Sequence, residues 1–125
     1  MNVAEQLSSY GHSVGFRDLT PDVVLEAKKR LIDGIGCAIG AFDAEPVKIA
    51  RKVALRVSST SPSTLLGTET KTAPDMAAFV NGIMVRYFDF NDTYLGKEPA
   101  HPSDNISACL SVAESEGASG RDFLL

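Results

Sequence analysis

Hydrophobic residues recur mostly every three or four positions along this chain, which is the spacing of one face of an α-helix. Thr20 can cap a helix start, and Pro21 and Asp22 suit a first helical turn. We therefore predict a long helix from Pro21 with one stripe facing a core. The apolar stripe consists of Val24, Ala27, Leu31, Ile35, Ala38 and Ile39.

The same spacing predicts further helices along the rest of the chain. A last helix begins at Ser119 and carries Phe123, Leu124 and Leu125. The others cover residues 3 to about 11, 45 to about 57, about 74 to 87, and 106 to about 117. Residues 63–66 suit one short strand at most, so we expect an all-α, mainly helical fold.

The helix near residue 74 has a predicted start and one competing interpretation. Thr72 and Asp75 resemble a capping box, and Pro74 fits the first turn. Asn81 and Gly82, however, form a dipeptide typical of hairpin turns. The apolar periodicity on both sides favours a continuous helix.

Glycine-rich sequence at the end of the long helix raises the question of a nucleotide site. Gly34, Gly36 and Gly40 superficially suggest a dinucleotide-binding loop, which requires a preceding strand and a helix opening at the glycines. Here the glycines close a helix instead, so close packing of another helix is the favoured role. No cofactor is inferred from them.

The charge and the cysteine content of the chain limit the classes of protein to which it can belong. The formal net charge is −4 with acids and bases interspersed, so the chain lacks the basic stripe expected of a nucleic-acid-binding protein. No stretch has the roughly 20 apolar residues of a membrane span. Cys37 and Cys109 each lie in apolar helical runs and are predicted to be reduced core residues. We expect a cytoplasmic protein.

Reactive side chains are concentrated between two apolar helices, at residues 87–105. Asp89 and Asp92 are close enough in sequence to share an environment in which the pKa of at least one carboxyl would rise. His101, held by Pro102, is the type of side chain best suited to proton transfer near neutral pH. A carboxylate and a histidine together suit elimination chemistry.

Two other interpretations of this segment stay open at this point. Asp89, Asp92 and Thr93 could merely cap a turn, with Asp104 and Asn105 capping the next helix. Asp89, Asp92 and His101 could also bind a metal, although no paired-histidine spacing supports one. The second histidine, His12, has no acidic neighbour to orient it and is interpreted as a surface or packing residue.

Two long segments resemble the MmgE/PrpD family. One reads DFNDTYLGKEPAHPSDN, between AAFVNGIMVRYFDF and ISACLSVAESEGASGRDFLL, and the other reads LTPDVVLEAKKRLIDGIGCAIGAFDAEPV. The resemblance implies that Asp89 and His101 are catalytic and that Thr93 binds substrate. It implies no metal and no organic cofactor.

The resemblance also implies a reaction. Family members act on small polycarboxylates, and the motif is most similar to the 2-methylcitrate dehydratase branch, a carbon–oxygen lyase of propionate catabolism. Decarboxylation of cis-aconitate and epimerisation of iminodisuccinate are the alternatives within the family. A homodimer is implied for the full-length protein.

Residues 1–125 correspond, on this resemblance, to the N-terminal portion of the family's helical domain. The inserted lid domain, a second histidine, a lysine and a tyrosine would lie beyond Leu125, so we expect a truncated chain that is inactive alone. The competing class is a non-catalytic helical interaction module that docks through its apolar end at residues 123–125.

Overall fold

The computed structural model describes residues 2–125, and the predicted mainly helical architecture is confirmed. Short 3₁₀ turns occupy Phe16–Asp18 and Pro102–Asn105. Within the described range the α-helices are α1 (Val3–Ser13), α2 (Pro21–Gly40), α3 (Glu45–Ala54), α4 (Pro74–Arg86), α5 (Ile106–Ser115) and α6 (Gly120–Leu124).

Short antiparallel strand pairs interrupt the helices. Strand β1 (Ser63–Thr64) pairs with β2 (Lys71–Thr72), and β3 (Tyr94–Leu95) pairs with β4 (Pro99–Ala100). The prediction of at most one short strand, at residues 63–66, is correct for β1 but wrong for the other three. Two-residue strands are too short to show the alternating pattern by which a strand is recognised in sequence.

Helix α4 lies at the centre of the fold, where it packs against α2, α3 and α5. Alanine is frequent in the buried cluster, which allows the helix backbones to approach closely, and each fully buried larger side chain contributes about 1.5–3 kcal/mol. The cluster consists of Ala38, Val47, Ala50, Ala54, Leu65, Ala77, Val80, Met84 and Val85.

Helix α2 begins as predicted, because the Thr20 hydroxyl accepts the Val23 N–H at 3.4 Å. Its buried side is formed by Gly34, Cys37 and Ala38. Ile39, predicted to lie in the core stripe, is 63% exposed. One residue advances a helix by about 100°, which carries Ile39 off the face that Ala38 buries.

Asn81 joins α4 to the turn that follows β1. Its side-chain oxygen accepts the Leu66 N–H at 2.9 Å, and its amide donates to the Thr64 carbonyl at 3.0 Å. The residue is 1% exposed and lies within the helix. The alternative of a hairpin at Asn81 and Gly82 is therefore wrong.

Thr72 does not cap α4, contrary to prediction. It lies in β2, and its buried hydroxyl donates to the carbonyls of Ala54 at 2.8 Å and Val57 at 3.0 Å. The actual N-cap, Ala73, makes no side-chain hydrogen bond. Helix α3 ends at Ala54, before the predicted end near Val57. The Ala54 carbonyl accepts the Val57 N–H at 3.1 Å as well as the Thr72 hydroxyl.

The glycine-rich end of α2 serves packing, as predicted, at Gly34. A Cβ placed there would lie 3.2 Å from Ile106 Cδ1 and 3.7 Å from Ser103 Cβ. At Gly36 a Cβ would meet nothing within 4 Å. Close approach of α2 to the start of α5 therefore depends on Gly34.

Both cysteines are free thiols, but only one is a core residue. Cys37 is buried, and that burial, reinforced by the nearby charge of Asp33, raises the pKa of its thiol. Cys109 is exposed, so its predicted place in the core is wrong. Its helix, α5, turns Ser107 and Ser111 inward instead.

Helix α1 has the predicted extent but no buried face. Its Asn2 and Glu5 form a capping box, while Val3, Leu7 and Tyr10 are all strongly exposed. His12 lies in its last turn and is also exposed, consistent with the surface role predicted for it. No helix within residues 2–125 combines the length and apolar character needed to cross a bilayer.

Candidate functional site

A small hairpin brings Thr93 and His101 together. The register of β3 and β4 pairs Tyr94 with Ala100, so the residues just outside that pair face each other across the ladder. Thr93 Oγ1 lies 3.5 Å from His101 Nδ1. Two residues eight positions apart in sequence thus meet at one point.

The imidazole of His101 is held by the main chain. Its Nδ1 lies 2.8 Å from the carbonyl oxygen of Asp92, and the side chain is half-buried. A carbonyl can only accept a hydrogen bond, so Nδ1 carries the proton in this contact. In the neutral ring, Nε2 then has the free lone pair and is the atom able to accept a proton.

Asp89 occupies an unusual backbone conformation just after α4. Its φ is +55°, in the left-handed region that residues with a Cβ seldom adopt. Its side chain is 75% exposed and makes an ion pair with Arg86 at 2.7 Å. Strained residues of this kind cluster at functional sites, because only a defined local role maintains them.

Arg86, at the end of α4, organises the loop. Its guanidinium donates to Asn91 Oδ1 at 2.6 Å and to Asp89 Oδ1 at 2.7 Å, and its Nε lies 3.3 Å from Asp104 Oδ1. The planar fork of an arginine can hold three acceptors at once. Sequence reasoning missed this residue, although the three-residue separation from Asp89 is a recognisable pairing distance.

A buried contact continues this network toward His101. Asn91 Nδ2 donates to Ser103 Oγ, and both residues are almost completely buried. Ser103 N–H in turn donates to Asp92 Oδ1 at 3.0 Å. Twelve positions separate Asn91 from Ser103, and no local pattern connects them, so sequence inspection could not have found this pair.

The two aspartates predicted to share an environment have different ones. Asp89 is exposed and paired with Arg86, whereas the Asp92 side chain is 2% exposed and faces Arg30 at 3.7 Å. Among the described residues, no hydrogen bond or ion pair joins Asp89 directly to His101. The expectation of a common site for both carboxylates is therefore wrong.

The capping interpretation fails for the residues before α5. Asp104 pairs with Arg86, and Asn105 donates to the Pro102 carbonyl at 3.4 Å. Helix α5 has Asn105 at its N-cap position but no side-chain hydrogen bond there. Within residues 2–125, no three His, Cys, Asp or Glu side chains are grouped so as to hold a metal ion.

An open polar cleft of about 430 Å³ borders the loop on the side of α2. The two basic residues of the lining, Lys29 and Arg30, both pair with Glu26, and acidic side chains outnumber them in the cleft. A hydrogen bond from Lys29 and its charge lower the pKa of Glu26, with a smaller contribution from Arg30. Asp33, Phe90 and Asp92 complete the lining.

Comparison with known proteins identifies the chain at family level. The model of the MmgE/PrpD N-terminal domain matches residues 5–125, which is nearly the whole sequence. The chain belongs to the MmgE/PrpD family. Asp89, Thr93 and His101 all lie within the matched range.

Curated relatives of this MmgE/PrpD chain are named as dehydratases. It is 36% identical to the 2-methylcitrate dehydratase of Cupriavidus necator over 70% of its own length and 18% of the relative. It is 28% identical to a probable 2-methylcitrate dehydratase of Saccharomyces cerevisiae over 98% of its length and 25% of the relative.

A further relative is the alkylcitrate dehydratase phiI of a fungal species, which is 34% identical over 86% of this chain and 21% of the relative. The chain thus spans 18–25% of the length of these curated relatives. Their shared description supports a carbon–oxygen lyase as the general kind of enzyme.

Proposed function

We propose that the protein carrying this chain is a hydro-lyase that removes water from 2-methylcitrate. Family membership and the names of the relatives support this assignment. These 125 residues would supply one part of the active site, since the relatives are several times longer. Further groups that bind a tricarboxylate would then come from the rest of the protein.

The observation that carries the proposal is the hydrogen bonding of the His101 ring. Its Nδ1 is engaged by the Asp92 carbonyl at 2.8 Å, which leaves Nε2 as the proton-exchanging atom. Elimination of water requires a base to remove a proton beside a carboxylate and an acid to protonate the departing hydroxyl. We assign these two tasks to Asp89 and His101.

Thr93 completes the assignment as a substrate-binding residue. Its hydroxyl lies 3.5 Å from His101 Nδ1 and the residue is exposed, so it can donate a hydrogen bond to a bound carboxylate. Such a bond would hold the substrate beside the imidazole.

The test is an assay of the full-length protein with 2-methylcitrate. We expect a product that has lost one water and gained a carbon–carbon double bond, detected by ultraviolet absorbance and mass spectrometry. Replacing His101→Ala should lower kcat by at least about 10²-fold, the usual contribution of a positioned acid or base. His12→Ala, a matched change on exposed α1, should leave kcat unchanged.

Product analysis also separates the related reactions. Release of carbon dioxide from cis-aconitate, or inversion of a stereocentre without change in mass, would overturn dehydration as the reaction. Turnover by the His101→Ala variant within twofold of the unmodified protein would remove His101 from the mechanism.

A further inference from the structure

Asp92 makes several hydrogen bonds within the loop, yet the proposed mechanism gives this residue no role. Its N–H donates to Asp33 Oδ2 at 3.2 Å, and its Oδ1 accepts the Ser103 N–H at 3.0 Å. Its carbonyl accepts from His101 Nδ1 at 2.8 Å. Three segments of the chain, α2 and both sides of the hairpin, therefore meet at this one residue.

The side chain of Asp92 is nearly inaccessible, and its second oxygen is unusual. Oδ2 is buried without a hydrogen bond, and its nearest cation is Arg30 at 3.7 Å. A buried carboxylate that forgoes a hydrogen bond is costly to retain. The geometry that the other polar atoms of Asp92 impose on the loop explains why a carboxylate is present at this position.

That geometry acts on the ring of His101 from two directions. The Asp92 carboxylate holds the Ser103 N–H, two residues beyond His101, while the Asp92 carbonyl holds the ring itself. Asp33 reaches from α2 to hold the N–H of the same residue, which limits rotation of the Asp92 main chain. Helix α2 thus anchors the carbonyl that selects the imidazole tautomer.

We propose that Asp33 and Asp92 are positioning residues that fix His101 with its proton on Nδ1 and present Nε2 to the substrate. The catalytic consequence rests on the function proposed above, whereas the tautomer itself does not. Neither carboxylate contacts the reacting atoms in this role. Each acts through the main chain that holds the imidazole.

Asp33→Ala is the decisive variant, because it leaves the loop sequence intact and alanine suits the interior of α2. In the intact protein we expect kcat to fall by roughly 10- to 100-fold with little change in KM, the signature of misplaced catalytic groups. Asp33→Asn keeps an oxygen acceptor for the Asp92 N–H and should restore most of the lost kcat. Asp22→Ala, an exposed change on the same helix, is the matched control and should have no effect.

The tautomer is read directly by ¹⁵N NMR of histidine-labelled protein, with the His101 signal identified by its loss in His101→Ala. We expect a proton on Nδ1 in the unmodified protein and a mixture of tautomers in Asp33→Ala. A proton on Nε2 in the unmodified protein would overturn the inference, as would an Asp33→Ala variant with unchanged tautomer and kcat. The expected tautomers in a protein that fails to dehydrate 2-methylcitrate would refute the proposed function and support this inference.

Discussion

At the scale of single residues, sequence and structure agree best where chemistry is local. Thr93 and His101 could be recognised from the motif, and the hairpin register explains why they meet. Arg86 was missed although its partner Asp89 is only three positions away, whereas the contact of Ser103 with Asn91, twelve positions away, could not be recognised from any local pattern. A side chain's type can be read from sequence, but its partners depend on tertiary packing.

Arg86 provides the first prediction at this scale. Arg86→Lys keeps the charge but loses the planar fork, so it cannot hold Asp89, Asn91 and Asp104 together. We expect kcat of the intact protein to fall by about tenfold or more, since small displacements of catalytic groups are costly. Steady-state kinetics measure this effect. Arg56→Lys, at an exposed position, is the control, and equal kcat in both variants would contradict the organising role of Arg86.

Glu114 provides a prediction about pH. Burial alone would raise the pKa of this carboxyl, but hydrogen bonds from Lys71 and Thr64, together with the charge of Lys71, lower it further than burial raises it. The resulting stabilisation is fully present above the ordinary pKa of 4.5 and is lost as pH falls through the lowered value.

Glu114→Gln should therefore lower the free energy of unfolding by about 1 kcal/mol at neutral pH. The difference from the unmodified protein should shrink as pH falls from 4.5 through the lowered pKa, below which the carboxyl is protonated in both the folded and the unfolded state. Urea unfolding at neutral pH and at a pH below the lowered pKa measures this difference in the free energy of unfolding. Glu116→Gln, two residues away and exposed, should show no such pH dependence. A gap that widens in acid would refute the account.

At the scale of elements, periodicity predicts helices well, and α2, α3, α4 and α5 each have a face buried by their neighbours. All of the predicted helices are present, and α4, with the strongest burial, lies at the centre. Boundaries were less predictable, since the Thr72 hydroxyl, expected to cap α4, instead donates to the carbonyl of Ala54 at the end of α3. The strands beyond β1 were missed, because two-residue ladders are defined by their pairing and not by their composition.

Gly34 and Gly36 form a matched pair on α2. Gly34→Val would force a side chain against Ile106 Cδ1, which lies 3.2 Å from a Cβ at this position and so closer than ordinary contact, and toward Ser103 Cβ at 3.7 Å. We expect a loss of about 1–3 kcal/mol of stability from overpacking. Gly36→Ala faces open space and should be neutral or stabilising by up to about 1 kcal/mol. Thermal unfolding compares them, and equal melting temperatures would refute the packing role of Gly34.

At the scale of the whole molecule, the exposed apolar surface is large for so short a chain. Helix α1 presents Val3, Leu7 and Tyr10 to solvent, and α5 and α6 border an apolar groove of about 460 Å³. The chain matches only 18–25% of the length of these curated relatives. Exposed apolar faces of this kind normally contact other protein surfaces.

We therefore expect the 125-residue chain alone to be inactive on 2-methylcitrate and to self-associate. Size-exclusion chromatography with light scattering measures the association, and a coupled variant, Val3→Ser with Leu7→Gln and Tyr10→Ser, should reduce it. The predicted inactivity follows from the proposal that further tricarboxylate-binding groups lie in the rest of the protein. A monodisperse, monomeric chain would favour an independent interaction module, and measurable turnover would show that the site is complete within these residues.

The β3–β4 hairpin has a consequence for how this protein can change over evolution or by engineering. Its strands pair Leu95 with Pro99, and the tip at residues 96–98 is solvent-exposed. Residues on one face of a ladder recur at every second position. Lengthening both strands equally would keep Thr93 opposite His101, whereas adding one residue to a single strand would shift the register and separate them. The tip can therefore vary in length while the spacing of the chemical groups below it is preserved, although any side chain at Gly96 would meet the Tyr94 ring.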